Sequence, residues 1–405
     1  MDPNRFKRPA IPSQITILPS CLITDILSRL PINTLYDCKC VSKTWNNFIS
    51  DLFFTQLHLT NSPPGILIKI IRRRGGESRQ LLLAQINGGN TKSRFMVEKM
   101  KFNSEDHLPN YQLEVVNSVN GLICLSGSIL IADQVYICNP ILDEHIAINI
   151  INNDDSHYKC KGSFGFGFCA ETAEYKVIHT FNVMESYKIV QNYQEAEVYT
   201  VGTGKWRRID NPPCKITSTL PVNTFLNGSI HWINSSDSGG FGLVYAFNFG
   251  IEKFKEIPLP TVLAPKGKKM KRVMKVGVLR DCLCLCSSFS KRSDLWVMKE
   301  YGVKKSWSKM YVVENLCLNK RSFKFCEAIL SFDSENILML CGNSVIACYN
   351  VKTKKFRDAK ICQTIGEFQI YSHIPSFVSL EDIAEVEKVR ISRQRMRTQG
   401  YFFSY

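Results

Sequence analysis

The segment Gly165-Phe166-Gly167-Phe168-Cys169-Ala170 has the spacing GxGxxA, which lets a backbone approach a dinucleotide pyrophosphate. That chemistry needs a strand before the glycines, a helix after them and an acid about 20 residues on. Here aromatics alternate with glycine, as in a strand, and Tyr175-Lys176-Val177-Ile178-His179 reads as the next strand. Gly165 and Gly167 are therefore read as close-packing positions. Cys282, Cys284 and Cys286 alternate on one face of another strand pattern. None of the 16 cysteines forms a CxxC half-site, so they read as buried free thiols rather than zinc ligands. The seven histidines are scattered. His231, beside Trp232, reads as structural, and His58 and His179 as packing or rim residues. GxSxG, HExxH, a Walker loop and a kinase signature are all absent. We therefore expect no catalytic residue, no metal and no cofactor.

The chain must then act through its surfaces. Its formal charge is +15 over 405 residues. Arg72, Arg73 and Arg74 sit together, and Lys266, Lys268, Lys269, Lys271, Arg272 and Lys275 crowd one segment. Lys388, Arg390, Arg393, Arg395 and Arg397 punctuate the C-terminal end. Such clusters attract phosphate, but no helix-turn-helix, RRM, KH or finger pattern accompanies them. Solvated loops, or a surface for an acidic partner or nuclear import, are the favoured reading. The start, MDPNRFKRPAIPSQ, has no apolar h-region, and no apolar run reaches the ~18 residues of a membrane span. A reducing cytoplasmic or nuclear setting is expected, with no membrane partner.

Two kinds of element must position these surfaces. From Ile17 to Leu59 the pattern is two or three short amphipathic helices. Leu22, Ile23, Ile26, Leu27 and Leu30 form one stripe, with Ser20 as the expected N-cap and Pro31 as the stop. Asn33 or Thr34 is expected to cap a second helix carrying Leu35, Cys38 and Val41. Ser42 is expected to cap a third, with Trp45, Phe48 and Ile49. Helices this short need tertiary packing, which predicts burial on two sides, against the body and against a partner.

These residues resemble an F-box. The matching positions are Leu18-Pro19, Ile26-Leu27-Ser28-Arg29-Leu30-Pro31, Lys39 and Val41, Ser42-Lys43-Thr44-Trp45, Ile49, Phe54 and His58-Leu59. Leu52 stands after Asp51 where many members have proline. The resemblance implies docking to the Skp adaptor of a cullin-type ubiquitin ligase. It implies that Leu18, Pro19, Ile26, Leu27, Leu30, Pro31, Leu35, Val41 and Trp45 form or support the adaptor face.

Beyond residue 60 the pattern is strands bounded by Gly, Asn, Asp and Ser: Gly65 to Ile71, Gln80 to Ile86, Gly121 to Ser126, Val135 to Cys138, Phe164 to Cys169, Tyr175 to Phe181, Glu197 to Val201 and Ile230 to Ile233. An apolar-aromatic strand, a polar turn and a returning aromatic recur. The copies are Val198-Tyr199 with Trp206, Val244-Tyr245-Ala246-Phe247 with Phe254, Leu295-Trp296-Val297 with Trp307, and Ile346-Ala347-Cys348-Tyr349 with Phe356. Val135 to Pro140 is a degenerate earlier copy. The steps from Tyr199 to Tyr245, Trp296 and Tyr349 are 46, 51 and 53 residues, the period of a propeller blade. Five, six or seven blades fit. Residues 120–380 resemble the F-box-associated domain of plant F-box proteins, a kelch-like β-propeller relative. The resemblance rests on Asn120-Gly121-Leu122-Ile123-Cys124, Cys138-Asn139-Pro140, Gly165 to Phe168, Leu226-Asn227-Gly228-Ser229-Ile230-His231-Trp232, Ile257-Pro258-Leu259-Pro260 and Ser376-Phe377-Val378-Ser379-Leu380. Ile66 to Val116 matches least.

The expected architecture is mainly β with a small α module. Residues 1–16 form a flexible tail, 17–60 the F-box, 61–380 the β-propeller-like substrate-binding domain and 381–405 a basic tail. A helix is possible within Ser379 to Thr398. The function implied is a non-catalytic substrate receptor, partnered by a Skp-type adaptor, through it a cullin, and an unidentified protein target. Ser186 to Tyr193, Ser235 to Gly242 and Ala264 to Arg272 are candidate target-binding loops. The alternatives are a propeller scaffold outside the ligase and a basic nucleic-acid-binding propeller.

Overall fold

A computed structural model describes residues 19–71, 80–87, 94–101, 113–127, 134–150, 157–185, 188–189, 193–216, 224–234, 243–263, 273–289, 291–314, 317–318, 321–331, 333–342, 344–359 and 367–391. The chain opens with four helices, α1 (Ser20–Ser28), α2 (Ile32–Lys39), α3 (Lys43–Ser50) and α4 (Leu52–Asn61). The pattern had predicted two or three.

Two expected caps are displaced. Pro19, not Ser20, is the N-cap of α1, and its carbonyl accepts from the Leu22 and Ile23 amides at 3.0 and 3.3 Å. Pro31, not Asn33 or Thr34, is the N-cap of α2, and its carbonyl accepts from the Leu35 amide at 3.1 Å. A proline fixes φ and lacks an N–H, so it enters a helix start at no hydrogen-bonding cost. Ser42 caps α3 as expected, its hydroxyl accepting from the Trp45 amide. Asp51 caps α4 by accepting from the Phe53 and Phe54 amides. Leu52 is the first residue of α4, where a backbone N–H has no helical partner in any case. The loss of the family's proline there is structurally mild.

The rest is a six-bladed β-propeller. Each blade has four main antiparallel strands, and neighbouring blades touch in order around the ring through their first strands, except that blade 4 makes these contacts through its second strand, Ser229–Asn234. Blade 2 contains Glu114–Val119, Leu122–Ser126, Gln134–Asn139 and Glu144–Asn149; blade 3 contains His157–Cys169, Glu174–Glu185, Glu195–Thr200 and Trp206–Ile209. Blade 4 runs from Phe225 to Ile257, blade 5 from Val273 to Val313 and blade 6 from Cys326 to Asp358. Blade 1 is composite. Gly65–Ile71, Gln80–Asn87 and Arg94–Lys101 form its outer three strands, and the inner strand is Glu367–His373 from the other end of the chain. This accounts for Ile66 to Val116, the region with the weakest sequence match.

The recurring aromatic unit is the third-to-fourth strand hairpin of blades 3 to 6. Tyr199 pairs with Trp206, Phe247 with Phe254, Met298 with Trp307 and Tyr349 with Phe356. Asn120-Gly121 and Asn227-Gly228 have positive φ at both residues. Such two-residue turns match the twist of the strands they join, which is why Asn-Gly occurs there. In blade 3 the glycines of the dinucleotide-like string are packing positions. A Cβ on Gly165 would lie 2.9 Å from Ile178, and one on Gly167 would lie 2.1 Å from the Phe249 ring.

The segment after the closing strand is not a helix. Asn139 Nδ2 donates to the Ser376 and Val378 carbonyls, and Glu144 accepts from the Leu380 amide and the Ser379 hydroxyl. Glu387 accepts from the Tyr199 hydroxyl and from the Gly202 amide. Arg390–Ile391 then adds a fifth strand to blade 2. Residues 381–391, assigned from sequence to the basic tail, are thus strapped across blades 2 and 3. Bonds from those blades take the backbone groups that a helix would have paired internally. The remaining stretch to Thr398 lies outside the described residues.

Gly167→Ala should destabilise the propeller by about 1–3 kcal/mol, because the Phe249 ring must move to admit a methyl group. A urea titration of the two proteins checks this, with an unchanged midpoint contradicting the packing account.

Candidate functional site

The helical module has one face sealed against the propeller. Leu27, Ile32, Leu35, Ile49 and Phe54 share a core with Leu67, Leu83, Ile123, Tyr136 and Tyr371 of blades 1 and 2 and with Phe377 just beyond the closing strand. His58 fixes the joint. Its Nε2 lies 3.0 Å from the Leu30 carbonyl, and its ring packs between Phe54 and Phe377. Burial lowers its pKa, only partly opposed by that carbonyl. Lys39 Nζ lies 4.9 Å from the centre of the Phe377 ring, a cation–π contact across the same junction. Asn61 donates to the Ser28 hydroxyl, tying the end of α4 to the end of α1.

The module also carries apolar residues that the propeller leaves uncovered, Leu52 and Phe53 of α4 among them. Ile26 is 51% exposed and Val41 69%, and Leu22 and Tyr36 are exposed too. Leu22 and Ile26 are four residues apart on α1 and so share a face. Pro19 and Pro31 are exposed at the two helix starts. Leu30 and Trp45 are half-buried against the module's core, and Leu27 and Leu35 are fully inside it. The nine residues singled out from sequence therefore separate. Pro19, Ile26, Pro31 and Val41 present surface, Leu30 and Trp45 straddle, and Leu27 and Leu35 hold the module's shape. Leu18 lies outside the described residues. Leu22 and Tyr36 are exposed apolar residues that the sequence-based set omitted. Leu22 was legible in the α1 stripe, whereas no pattern marked Tyr36.

Residues 15–57 match the F-box domain, and residues 71–383 match the F-box associated beta propeller domain. The chain belongs to the F-box associated beta propeller family. It is similar to three Arabidopsis thaliana proteins. To F-box protein CPR1 it is 24% identical, covering 85% of this chain and 84% of that one. To F-box/kelch-repeat protein At3g23880 it is 24% identical, over 85% and 93%. To F-box protein At3g07870 it is 25% identical, over 84% and 87%.

Within this F-box protein the polar candidates are structural. His231 is buried, with Nδ1 at 2.8 Å from the Thr224 carbonyl and Nε2 at 2.6 Å from the Tyr301 hydroxyl. His179 is buried against Glu197 and stacked on Phe164. Cys284 and Cys286 lie in the core shared by blades 5 and 6. Burial holds the Cys284 thiol well above its usual range and pushes the Cys286 thiol up to about 12, which suppresses the reactive thiolate. Among the described residues no group of three or more His, Cys, Asp or Glu is arranged to hold a metal. None of the described helices is long and apolar enough to cross a membrane.

Burial pushes the His231 and His373 imidazoles down to about 4 from an ordinary 6.5. Between those values the unfolded chain binds more protons than the folded one, so this contribution to stability is full above pH 6.5 and lost as pH falls towards 4. Each histidine contributes on the order of 3 kcal/mol over the full window. Asp143, its carboxyl raised to about 6 by burial, acts in the opposite direction. Urea midpoints should fall from pH 7.5 to pH 5; a rise would mean that the histidines do not dominate.

Proposed function

We propose that this protein is the substrate-recognition subunit of a Skp–cullin–F-box ubiquitin ligase. The observation carrying this reading is the helical module whose buried residues share the propeller core while Leu22, Ile26, Tyr36, Val41, Leu52 and Phe53 stay exposed. An exposed apolar set on a rigid small module is what a docking partner covers. The Skp adaptor would dock there, with Pro19, Ile26, Pro31 and Val41 in contact and Leu27, Leu30, Leu35 and Trp45 supporting from behind. The cullin would be reached through the adaptor.

The chain itself would do no chemistry. A target held on the propeller is brought near a charged conjugating enzyme, and the gain is one of effective concentration. The setting for such a complex is the cytoplasm, the nucleus or both.

Ile26→Asp with Val41→Asp should abolish co-purification with a Skp adaptor while leaving the unfolding free energy from urea titration within about 0.5 kcal/mol, because both side chains face solvent. Leu35→Asp should instead cost several kcal/mol of folding stability by burying an unpaired charge. Adaptor capture by the folded Ile26/Val41 variant equal to the parent would overturn the assignment of this face.

A further inference from the structure

Antiparallel topology gives the ring two distinct sides. In every blade the first-to-second and third-to-fourth turns open on one side. The second-to-third turn and the link to the next blade open on the other. The helical module enters at Gly65, the start of a second strand, and the C-terminal strap leaves from His373, the end of a first strand. Both therefore occupy the same side.

We propose that the opposite side of blade 5 docks an acidic segment of a protein; this inference rests on the receptor reading above. Cations converge there. Lys275 Nζ lies 5.4 Å from the centre of the Phe325 ring. The Cys326 amide donates to the Ser288 hydroxyl at 3.4 Å, which brings the Lys324-Phe325 entry to blade 6 beside the Ser288-Phe289 end of a blade 5 strand. Across the turn from Phe289 stand Lys291 and Arg292, both exposed. Lys309, on the outer strand, and Arg292 both bond the Asp294 carboxylate, at 2.8 and 2.9 Å.

Among the described residues, Lys275, Lys291, Arg292, Lys309 and Lys324 stand on this side with the carboxylates of Asp294, already shared by two cations, the exposed Glu314 and the buried Glu327. Phe289 and Val273 are 39% and 38% exposed amid this charge. An acidic segment bearing an apolar residue matches both features, since opposite charge sets the encounter and buried apolar area the lifetime. The location also suits a receptor, because a target here does not compete with the adaptor for the side that holds the helical module.

The test uses the full chain and a fluorescein-labelled peptide in which glutamate alternates with leucine and phenylalanine, measured by anisotropy beside labelled oligo(U) RNA. The parent should bind the peptide, more weakly as salt is raised. Lys291→Glu with Lys324→Glu should weaken it about tenfold or more. Lys304→Glu with Lys305→Glu, which reverses two charges on the other side of the same blade, should not. Absence of peptide binding by the parent, equal weakening by both variants, or binding of oligo(U) in place of the peptide would each overturn the proposal. Adaptor capture is measured on the same samples. Its loss with site-dependent peptide binding retained would remove the receptor reading and leave the docking surface standing.

Discussion

Closure of blade 1 is the constraint on which the other features depend. Glu367–His373 pairs along its whole length with Gly65–Ile71, so the two ends of the propeller sequence meet in one sheet. Without that pairing, blades 1 and 6 would each present a bare face and an unpaired edge. The bond network beyond His373 reinforces it. Asn139, Glu144 and Ser376 fasten the strap to blade 2, and Glu387 carries it on to blade 3. Because the contact joins residues far apart in the chain, its loop-closure entropy must be offset by the pairing and packing that it completes.

The closed ring is also what makes the helical module rigid. Four short helices would be marginal alone, and their buried residues, Leu27, Leu35, Ile49 and Phe54, complete a core with Tyr371 and Phe377 at and just beyond the closing strand. Closure, strap and module are thus mechanically one unit. Lys176 shows how adjoining blades are locked in the same spirit. Burial opposes its charge, but hydrogen bonds and charges from Glu252 and Glu174 more than offset this and raise its pKa. Glu252 lies in a blade 4 turn and Lys176 in a blade 3 strand, so the pair works as an inter-blade clasp.

Much of the fold was readable in sequence because its signals are local. Strand alternation, Asn-Gly turns with two positive φ angles and the spacing from Tyr199 to Tyr349 all act over a few residues or one blade. The same holds for the helical module, whose Ser42 cap and α1 stripe are short-range features. Caps at Pro19 and Pro31 were missed because the capping atom is a backbone carbonyl, which any residue type supplies. A helix after Ser379 was one outcome that the imperfect apolar spacing allowed. The side chains of Asn139 and Glu144, more than 200 residues earlier in the chain, override that spacing.

The sequence by itself determined that this is a helical module followed by a β-propeller, and it marked the residues of the F-box. Only the tertiary structure decided the blade count, the origin of the first blade and the division of the module's apolar residues into exposed and buried ones. It also decided that Lys275, Lys291, Arg292 and Lys309 of blade 5 stand with Lys324 on the side away from the module. The physical reason is common to all four. Side-chain type and short spacing fix local conformation, whereas exposure and ring closure depend on what distant parts of the chain bring alongside.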